Sequence, residues 1–341
     1  MSTNIFVRIS KLALAIFVAL GLWSIAVTAD AGLMANANVA DVVIAADSNI
    51  SAVRYRSLEV NGVTIAYREA GDPSKPAIVL LHGFPTSSHM FRELIPILAK
   101  RYHVVAPDYP GFGASEMPKM DEFEYSFANF AVTIEYFLDA KQIDQYVLYV
   151  MDYGAPVGFR LFARNPERVT GFIIQNGNAY EEGLKEFWDP IKAYWAEPTA
   201  ENGDKLRAFF ELGVTTWQYT NGIPEDAVSL VSPDNWYHDQ FLLDRPGNKD
   251  IQLALFLSYG TNVPEYAKWQ ALFREYQPPA LIVWGQGDYI FPVEGAHPYE
   301  RDLENVEKYI LDAGHFALET HLSFISDRIL VFMDRTVTSA P

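Results

Sequence analysis

The chain has 341 residues and a formal net charge of −17, and half of its residues are hydrophobic. This length can bury a large core and fits one large domain or a domain with an insertion. The acidic charge argues against nucleic acid and anionic membrane surfaces as partners, because their phosphates would repel it. The absence of cysteine excludes disulfides, thiolate metal ligands and a cysteine nucleophile.

The first 31 residues have the pattern of a secretory signal peptide. Two basic residues precede an uncharged apolar run, residues 12–27, and Ala29-Asp30-Ala31 offers a cleavage site of the A-x-A type. We therefore expect residues 1–31 to be removed and the mature protein to be periplasmic or secreted, without a stable membrane span. The alternative is a membrane anchor formed by residues 12–27, although a full span needs about 20 residues. Residues 32–51 are interpreted as a linker.

From residue 54 onward, strand and helix patterns alternate. Residues 54–71 predict a hairpin, because two alternating segments flank Asn61-Gly62, a strong type I′ turn signal. Continuously apolar runs predict strands that are buried on both faces, and these runs occur within residues 76–84, 103–108, 145–151, 169–176 and 279–288. Residues 306–314 are predicted to form a further buried strand. Helical patterns cover residues 127–141, 156–166 and 318–333. This alternation predicts an α/β fold with a mostly parallel, twisted sheet and helices on both faces.

The segment 177–276 interrupts this alternation. It is rich in aromatic residues and predicts helices and loops without a buried strand. We interpret it as a mainly helical cap inserted into a core formed by residues 52–176 and 277–341. Its aromatic side chains would line a pocket for a small apolar substrate over the strand ends. For any single aromatic residue, packing of the cap against the core is the simpler interpretation.

In parallel sheets, functional sites form at the carboxyl ends of the strands. Four predicted strand ends are chemically distinctive, and they carry His82-Gly83-Phe84-Pro85, Asp152, Asp288 and His315. Asp152 ends a buried strand and is followed by Gly154 and Ala155. Small residues at these positions are typical of a nucleophile elbow, the tight strand-turn-helix that exposes a reactive side chain.

An aspartate at this turn indicates a particular chemistry. A carboxylate is already ionised near neutral pH and is a weak nucleophile. It suits attack at an sp³ carbon that bears a leaving group, and the product is an ester on the enzyme. A histidine can then activate water to hydrolyse the ester. We expect His315 to be this base and Asp288 to orient it, because the chain order Asp, Asp, His is that of the α/β-hydrolase arrangement.

Five segments resemble the α/β-hydrolase superfamily and, within it, the branch of epoxide hydrolases and haloalkane dehalogenases that use an aspartate nucleophile. In order, they are HGFPTSSHMF, PDYPGFGASE, MDYGAPVGFR, WGQGD and GHFALE. The resemblance covers about residues 55–335 and is weakest in the cap. It implies an α/β-hydrolase fold with Asp152 as nucleophile, Asp288 and His315 as acid and base, and the backbone N–H groups of Phe84 and Tyr153 as oxyanion hole. Val150 departs from the glycine that serine hydrolases usually carry before the nucleophile.

The leaving group distinguishes the activities within this branch. Dehalogenases of the branch resemble one another in binding halide through a Trp next to the nucleophile and through an Asn or a cap Trp. Tyr153 and Phe84 stand at two of these positions here. Fluoroacetate-type dehalogenases hold a carboxylate with two arginines, and the matching residues are Tyr153 and Pro156. The resemblance therefore disfavours haloacids as substrates. This chain also lacks the tryptophan next to the nucleophile whose indole N–H usually binds halide.

Epoxide hydrolases resemble one another in using two cap tyrosines, whose O–H groups protonate the opening oxygen. Tyr259 precedes the strand that carries Asp288 by the spacing expected of the second tyrosine. Tyr219, and next Tyr237, are the candidates for the first.

We therefore expect an exported epoxide hydrolase that acts on a small apolar or aromatic epoxide with water. Two alternatives stay open: a haloalkane dehalogenase or another hydrolase of esters or C–halogen bonds on this fold, and a catalytically idle binding module. We expect no cofactor and no metal, because His82, His89 and His103 lie on different elements without ligand spacing. His82 is interpreted as structural. The sequence does not indicate an oligomeric state.

Overall fold

The computed structural model describes residues 52–338. The predicted signal peptide, residues 1–31, and the predicted linker, residues 32–51, lie outside this range. None of the helices within residues 52–338 combines the length and the apolar character that a membrane span requires.

An eight-stranded sheet runs through the described part of the chain. Its strands are β1 (Arg54–Val60), β2 (Val63–Ala70), β3 (Ala77–Leu81), β4 (His103–Pro107), β5 (Tyr146–Met151), β6 (Val169–Gln175), β7 (Ala280–Gly285) and β8 (Val306–Leu311). Their order in space is β1-β2-β4-β3-β5-β6-β7-β8. β2 pairs antiparallel with β1 and β4, and all other neighbouring pairs are parallel. The parallel strands therefore end at one edge of the sheet.

Eleven α-helices belong to the described residues. They are α1 (Leu94–Leu98), α2 (Phe127–Ala140), α3 (Gly154–Arg164), α4 (Asp189–Ala196), α5 (Ala200–Leu206), α6 (Leu212–Thr220), α7 (Pro233–Leu243), α8 (Asn248–Tyr259), α9 (Tyr266–Tyr276), α10 (Tyr299–Asp302) and α11 (Leu318–Thr338), which is kinked at His321. Serine side chains cap some helix starts: Ser126 accepts a hydrogen bond from the N–H of Asn129 at the start of α2.

Side chains of β5 alternate between two hydrophobic clusters, one on each face of the sheet. Val147 and Tyr149 belong to one cluster, and Leu148 and Val150 belong to the other. All residues of β5 are buried, because helices cover both faces of the sheet. This burial explains why the strand is apolar without interruption until Asp152, and it confirms the predicted α/β architecture.

β8 differs from the expectation for residues 306–314. The strand forms, but it lies at the edge of the sheet, and Leu311 is its one buried residue. Glu307 and Lys308 are partly exposed there, and charged side chains on an edge strand disfavour pairing with another chain. The prediction that this strand is buried on both faces was therefore wrong.

Residues between β6 and β7 form α4 to α9 and pack over the carboxyl ends of the strands. The rings of Phe210 and Phe256 lie edge-on to Phe84, which follows β3. The indole N–H of Trp188 donates a hydrogen bond to the carbonyl of Ile290, which follows β7. This segment is the helical cap, and its predicted limits at residues 177 and 276 stay a prediction.

Candidate active site

Asp152 lies in the turn between β5 and α3, at the carboxyl end of the sheet. Its φ is +51°, a left-handed conformation that Asp and Asn tolerate better than most other non-glycine residues. A Cβ at Gly154 would lie 2.2 Å from the carbonyl oxygen of Leu81, and a Cβ at Gly83 would lie 2.3 Å from the Cβ of Asp152. Glycines at these positions therefore allow the turn to pack tightly under and beside the carboxylate.

One oxygen of Asp152 is held by the backbone. Oδ1 accepts hydrogen bonds from the N–H of Phe84 at 2.7 Å and from the N–H of Tyr153 at 2.6 Å. These are the two N–H groups that the resemblance implies for an oxyanion hole. A negative charge that develops on Oδ1 would meet both donors already in position. Oδ2 accepts neither of these bonds and is the oxygen available for attack.

His315 lies beside Oδ2. Its Nε2 is 3.7 Å from Oδ2 of Asp152 and makes no hydrogen bond with any described residue. Its Nδ1 is 2.8 Å from Oδ2 of Asp288, which fixes the orientation of the ring. Asp288 is itself fixed, because Oδ2 accepts from Nδ2 of Asn176 at 2.7 Å and Oδ1 accepts from the N–H of Ile290 at 2.8 Å.

Burial sets the electrostatics of these groups. It raises the pKa of Asp152 to about 6, against the opposing effects of the His315 charge and of the two backbone N–H groups. Burial disfavours protonated His315, but the charge of Asp288, its hydrogen bond and the charge of Asp152 together outweigh burial and raise the pKa of His315. The structure thus brings Asp152, Asp288 and His315 together in a buried cluster, and their catalytic roles stay a prediction.

A cavity of about 20 Å³ separates Asp152 from the cap, with room for about one water molecule. Its wall is mostly aromatic and includes Phe84, Phe187, Trp188, Phe209, Phe256 and Ile290. Tyr153 and Gln218, which lies on α6, also line it. Such a wall favours an apolar ligand. A ligand of more than a few atoms requires the side chains of the cap to move apart.

Tyr259 packs behind this wall. It is fully buried at the end of α8, with its ring centroid 4.4 Å from that of Trp188 and 6.1 Å from that of Tyr153. Its hydroxyl makes no hydrogen bond of normal geometry within residues 52–338, although it interacts electrostatically with Tyr266 and with Asp152. Burial raises the pKa of Tyr259 well above its usual value, so that the hydroxyl keeps its proton.

The other two candidate tyrosines lie elsewhere. The hydroxyl of Tyr219 donates to Oδ2 of Asp239 at 2.5 Å, and its ring stacks on Phe316 at 4.0 Å, within the core. Tyr237 is 59% exposed at the surface. The structure therefore does not bring Tyr219 or Tyr237 to the cavity. The sequence could not separate them from Tyr259, because helical spacing alone does not show which face of a cap helix is turned inward.

Two tryptophans of the cap lie close to Tyr259, and the indole N–H of each already donates a hydrogen bond to a backbone carbonyl. Trp188 donates to the carbonyl of Ile290 at 2.7 Å, and Trp195 donates to the carbonyl of Phe256 at 2.7 Å. Neither N–H is available to a halide ion in this arrangement.

Two polar residues of the site, Asn176 and Gln218, were not identified from the sequence. Asn176, with φ of +45°, follows β6 and binds Asp288. The rule that pointed to Asp152, a polar residue at the carboxyl end of a strand, would have found Asn176 as well. Gln218 lies inside a cap helix, and no pattern distinguishes it from the other amides of the cap.

His82 is buried beneath the site and uses both ring nitrogens. Nδ1 lies 2.9 Å from the carbonyl of Gly83, and Nε2 accepts from the N–H of Tyr109 at 3.3 Å. These contacts fit a structural role. Residues 52–338 contain no group of three or more His, Cys, Asp or Glu residues placed to hold a metal ion. The expectation that the reaction needs no cofactor stays a prediction.

Comparison with known proteins agrees with this geometry. Residues 76–322 match the family model of the alpha/beta hydrolase fold. An uncharacterized hydrolase of Saccharomyces cerevisiae is 44% identical over 282 residues, which are 81% of this chain and 96% of the relative. A haloalkane dehalogenase of Bradyrhizobium diazoefficiens is 34% identical over 36% of this chain and 38% of its own. The solved structure of the epoxide hydrolase CorEH has a TM-score of 0.68 at 20% identity, covers 83% of this chain and 99% of its own, and supports the fold alone. The chain therefore belongs to the α/β-hydrolase family and is a hydrolase.

Proposed function

We propose that this enzyme hydrolyses epoxides through an ester on Asp152. The different environments of the two carboxylate oxygens carry the proposal: Oδ1 accepts two backbone N–H bonds, whereas Oδ2 lies 3.7 Å from Nε2 of His315. In the first step, Oδ2 attacks an epoxide carbon and the C–O bond breaks. The bonding electron pair moves to the epoxide oxygen, which takes a proton from an O–H donor.

Water completes the reaction. It attacks Cγ of the ester while Nε2 of His315 takes its proton, and Asp288 stabilises the imidazolium. Negative charge moves to Oδ1, where the N–H groups of Phe84 and Tyr153 bind it. The Cγ–Oδ2 bond then breaks, and the departing diol oxygen takes the proton from His315. The new carboxyl group contains one oxygen from water; it releases the second water proton, and the O–H donor of the first step regains a proton.

The donors near the cavity favour an epoxide over a haloalkane. An alkoxide is a poor leaving group and needs a proton, and Tyr259 offers a protonated, buried hydroxyl that interacts with Tyr266 but makes no hydrogen bond of normal geometry with a described residue. A halide needs two N–H donors instead, but the indoles of Trp188 and Trp195 already donate to carbonyl groups, and among the residues that line the cavity the neutral amide of Gln218 is the one side chain left with N–H groups to offer. The aromatic wall supports a small apolar or aromatic substrate.

Haloalkane dehalogenation is the second candidate, because part of the chain is similar to haloalkane dehalogenases. Both chemistries form the same kind of ester on Asp152. They differ in what stays on the enzyme, since an opened epoxide keeps its oxygen on the attached carbon chain, whereas a displaced halide leaves.

The test traps the ester and weighs it. In His315→Gln the base is lost, so the ester forms but is not hydrolysed. After exposure to styrene oxide or 1,2-epoxybutane, the protein should gain the mass of the whole epoxide, on a peptide that contains Asp152. The double variant Asp152→Asn/His315→Gln should gain nothing. Labelling by haloalkanes alone would favour the dehalogenase, and the absence of labelling together with the absence of turnover would favour a binding module.

We further propose that the protein is exported, on the basis of the signal-peptide pattern of residues 1–31. The mature chain from its native source should begin near Gly32 and occur outside the cytoplasm. Intact-mass analysis checks this, and a mature chain beginning at Met1 or Ser2 would contradict it.

A further inference from the structure

Gln218 is a buried cap residue that lines the cavity together with Asp152. It is 4% exposed, and its amide makes no side-chain hydrogen bond within the described residues. Another buried cap amide, Gln240, shows the usual situation, since it bonds to Thr215 and to the carbonyl of Phe210. An amide without such partners next to a cavity is available to a bound molecule.

The wall holds two other polar groups, the hydroxyl of Tyr153 and the carboxylate of Asp152, and neither makes a hydrogen bond with Gln218. Most of the wall is aromatic, and the indole N–H of Trp188 is already bonded to Ile290. A water molecule fits the cavity of about 20 Å³ and can satisfy the amide, but a bound substrate displaces it. A substrate that returns no hydrogen bond then leaves the amide buried and unpaired, which is disfavoured.

The amide group defines what it can recognise. It offers two N–H donors and a carbonyl acceptor, and it is neutral, so it cannot act as an acid. An ether oxygen pairs with the donors only, whereas a hydroxyl group both accepts and donates. Because Asp152 and Gln218 line the same small cavity, this hydroxyl must lie within a few bonds of the attacked carbon.

We propose that Gln218 binds a hydroxyl group of the substrate, so that the enzyme prefers short epoxy alcohols to alkyl epoxides of the same size. This inference rests on the proposed function and narrows its substrate class. The aromatic wall contacts the carbon atoms of the substrate, Asp152 attacks the ring, and Gln218 fixes the hydroxyl. Sites that bind a substrate hydroxyl in this way discriminate strongly against the analogue that lacks it.

Glycidol and 1,2-epoxybutane test this, because they differ by a hydroxyl in place of a methyl group. We expect the wild type to have the higher kcat/KM for glycidol. Gln218→Leu should lower kcat/KM for glycidol by about tenfold or more while sparing 1,2-epoxybutane. Gln252→Leu makes the same chemical change at a buried amide outside the cavity, and it should leave the ratio between the two substrates unchanged. An unchanged ratio in Gln218→Leu, or an equal loss for both epoxides, would overturn the inference.

Binding without turnover separates this inference from the proposed function. In the Asp152→Asn background, saturation-transfer NMR measures contact of glycidol with the protein. We expect the signal to be lost in Asp152→Asn/Gln218→Leu and kept in Asp152→Asn/Gln252→Leu. If this pattern holds while the wild type turns over neither epoxide, the proposed function fails and the hydroxyl contact stands. If the wild type hydrolyses epoxides but glycidol binds equally with and without Gln218, the inference fails and the proposed function stands.

Discussion

Nε2 of His315 lies 3.7 Å from Oδ2 of Asp152, which is longer than a hydrogen bond between these atom types. A histidine that deprotonates its own nucleophile must be bonded to it, but an ionised aspartate has no proton to lose. The longer spacing instead leaves Nε2 free to take a proton from water that approaches Cγ. The distance therefore suits the hydrolysis of an ester better than the activation of a hydroxyl nucleophile.

Asp152→Asn should abolish turnover without unfolding the protein, because the amide keeps the shape but lacks the charge. The left-handed φ of +51° adds a second expectation, since Asn tolerates this conformation and Ala does not. Asp152→Ala should therefore be less stable than Asp152→Asn by about 1 kcal/mol. Initial rates and thermal unfolding measure the two effects.

The first minutes of the assay are decisive for Asp152→Asn, because slow deamidation by an activated water can restore the aspartate. Turnover near the wild-type rate from the start would remove Asp152 from the role of nucleophile. Equal unfolding temperatures for the Ala and Asn variants would show that the turn is not strained in solution.

Asn176→Gly should slow hydrolysis of the ester more than its formation, and Gly tolerates the left-handed φ of +45° at this position, which Ala does not. Nδ2 of Asn176 donates to the same Asp288 oxygen that binds His315, and a hydrogen bond to a charged group contributes about 1.5–3 kcal/mol. Its loss should lower the rate of the second step by roughly ten- to a hundredfold, so that the ester accumulates during turnover. Rapid quenching followed by intact-mass analysis measures the ester.

Asn178→Gly is the matched control. Asn178 is also buried and follows β6, but its amide bonds to the carbonyl of Tyr180 and to the hydroxyl of Tyr266. It should lower stability without accumulation of the ester. Similar behaviour of the two variants would mean that Asn176 acts through the fold and not through Asp288.

Much of the core could be predicted from the sequence, because burial on two faces leaves a direct mark on it. β5 is apolar at every position, and Asp152 and Asp288 stand out at once where apolar strands end. β8 carries Glu307 and Lys308 among its apolar residues and lies at the edge of the sheet, a position that the composition of a single strand does not encode. The prediction of burial failed there for this reason.

The cap could not be predicted to the same depth. Three candidate tyrosines, Tyr219, Tyr237 and Tyr259, all lie on aromatic-rich helices and differ only in tertiary packing. The hydroxyl of Tyr219 binds Asp239, Tyr237 is exposed, and the hydroxyl of Tyr259 is buried beside Tyr266 without a hydrogen bond of normal geometry. Gln218 was missed for the same reason, since its role depends on a cavity that forms only when cap and core meet.

Tyr259→Phe should slow formation of the ester from epoxides, because it removes an O–H that can protonate the opening oxygen. General-acid contributions are roughly 10²- to 10⁴-fold, and a second donor could reduce the loss. The phenyl ring keeps the contacts with Trp188 and Tyr153, so stability should change little. Labelling rates in the His315→Gln background measure the step directly.

Tyr219→Phe is the control. It loses a hydrogen bond to Asp239 in the core and should leave the labelling rate close to that of the His315→Gln parent. An unchanged rate in Tyr259→Phe would exclude it as the acid.

The two steps should respond differently to acid. Asp152 attacks only when ionised, and its pKa is raised to about 6, so ester formation should be lost as the pH falls through this value. His315 accepts a proton only when neutral, and its pKa is raised above the ordinary value of 6.5, so hydrolysis should be lost at a higher pH. Between these values the ester should accumulate. Quenched-flow mass analysis from pH 5 to 8 checks this order, and a second step that does not depend on pH in this range would contradict His315 as the base.

The fate of one oxygen tests the ester pathway in the unmodified enzyme. Water attacks Cγ, and Oδ2 of Asp152 leaves with the diol, so the carboxylate exchanges an oxygen atom in each cycle. In a single turnover in water enriched in oxygen-18, with enzyme in excess, the label should enter Asp152 and the diol should carry the unlabelled oxygen of the carboxylate. Peptide mass analysis and product mass analysis measure the two fates. Direct attack of water on the epoxide gives the opposite result, with a labelled diol and an unlabelled Asp152. That result would leave Asp152 in contact with the reaction but remove the ester on which the assignments of Oδ1, Oδ2 and His315 depend.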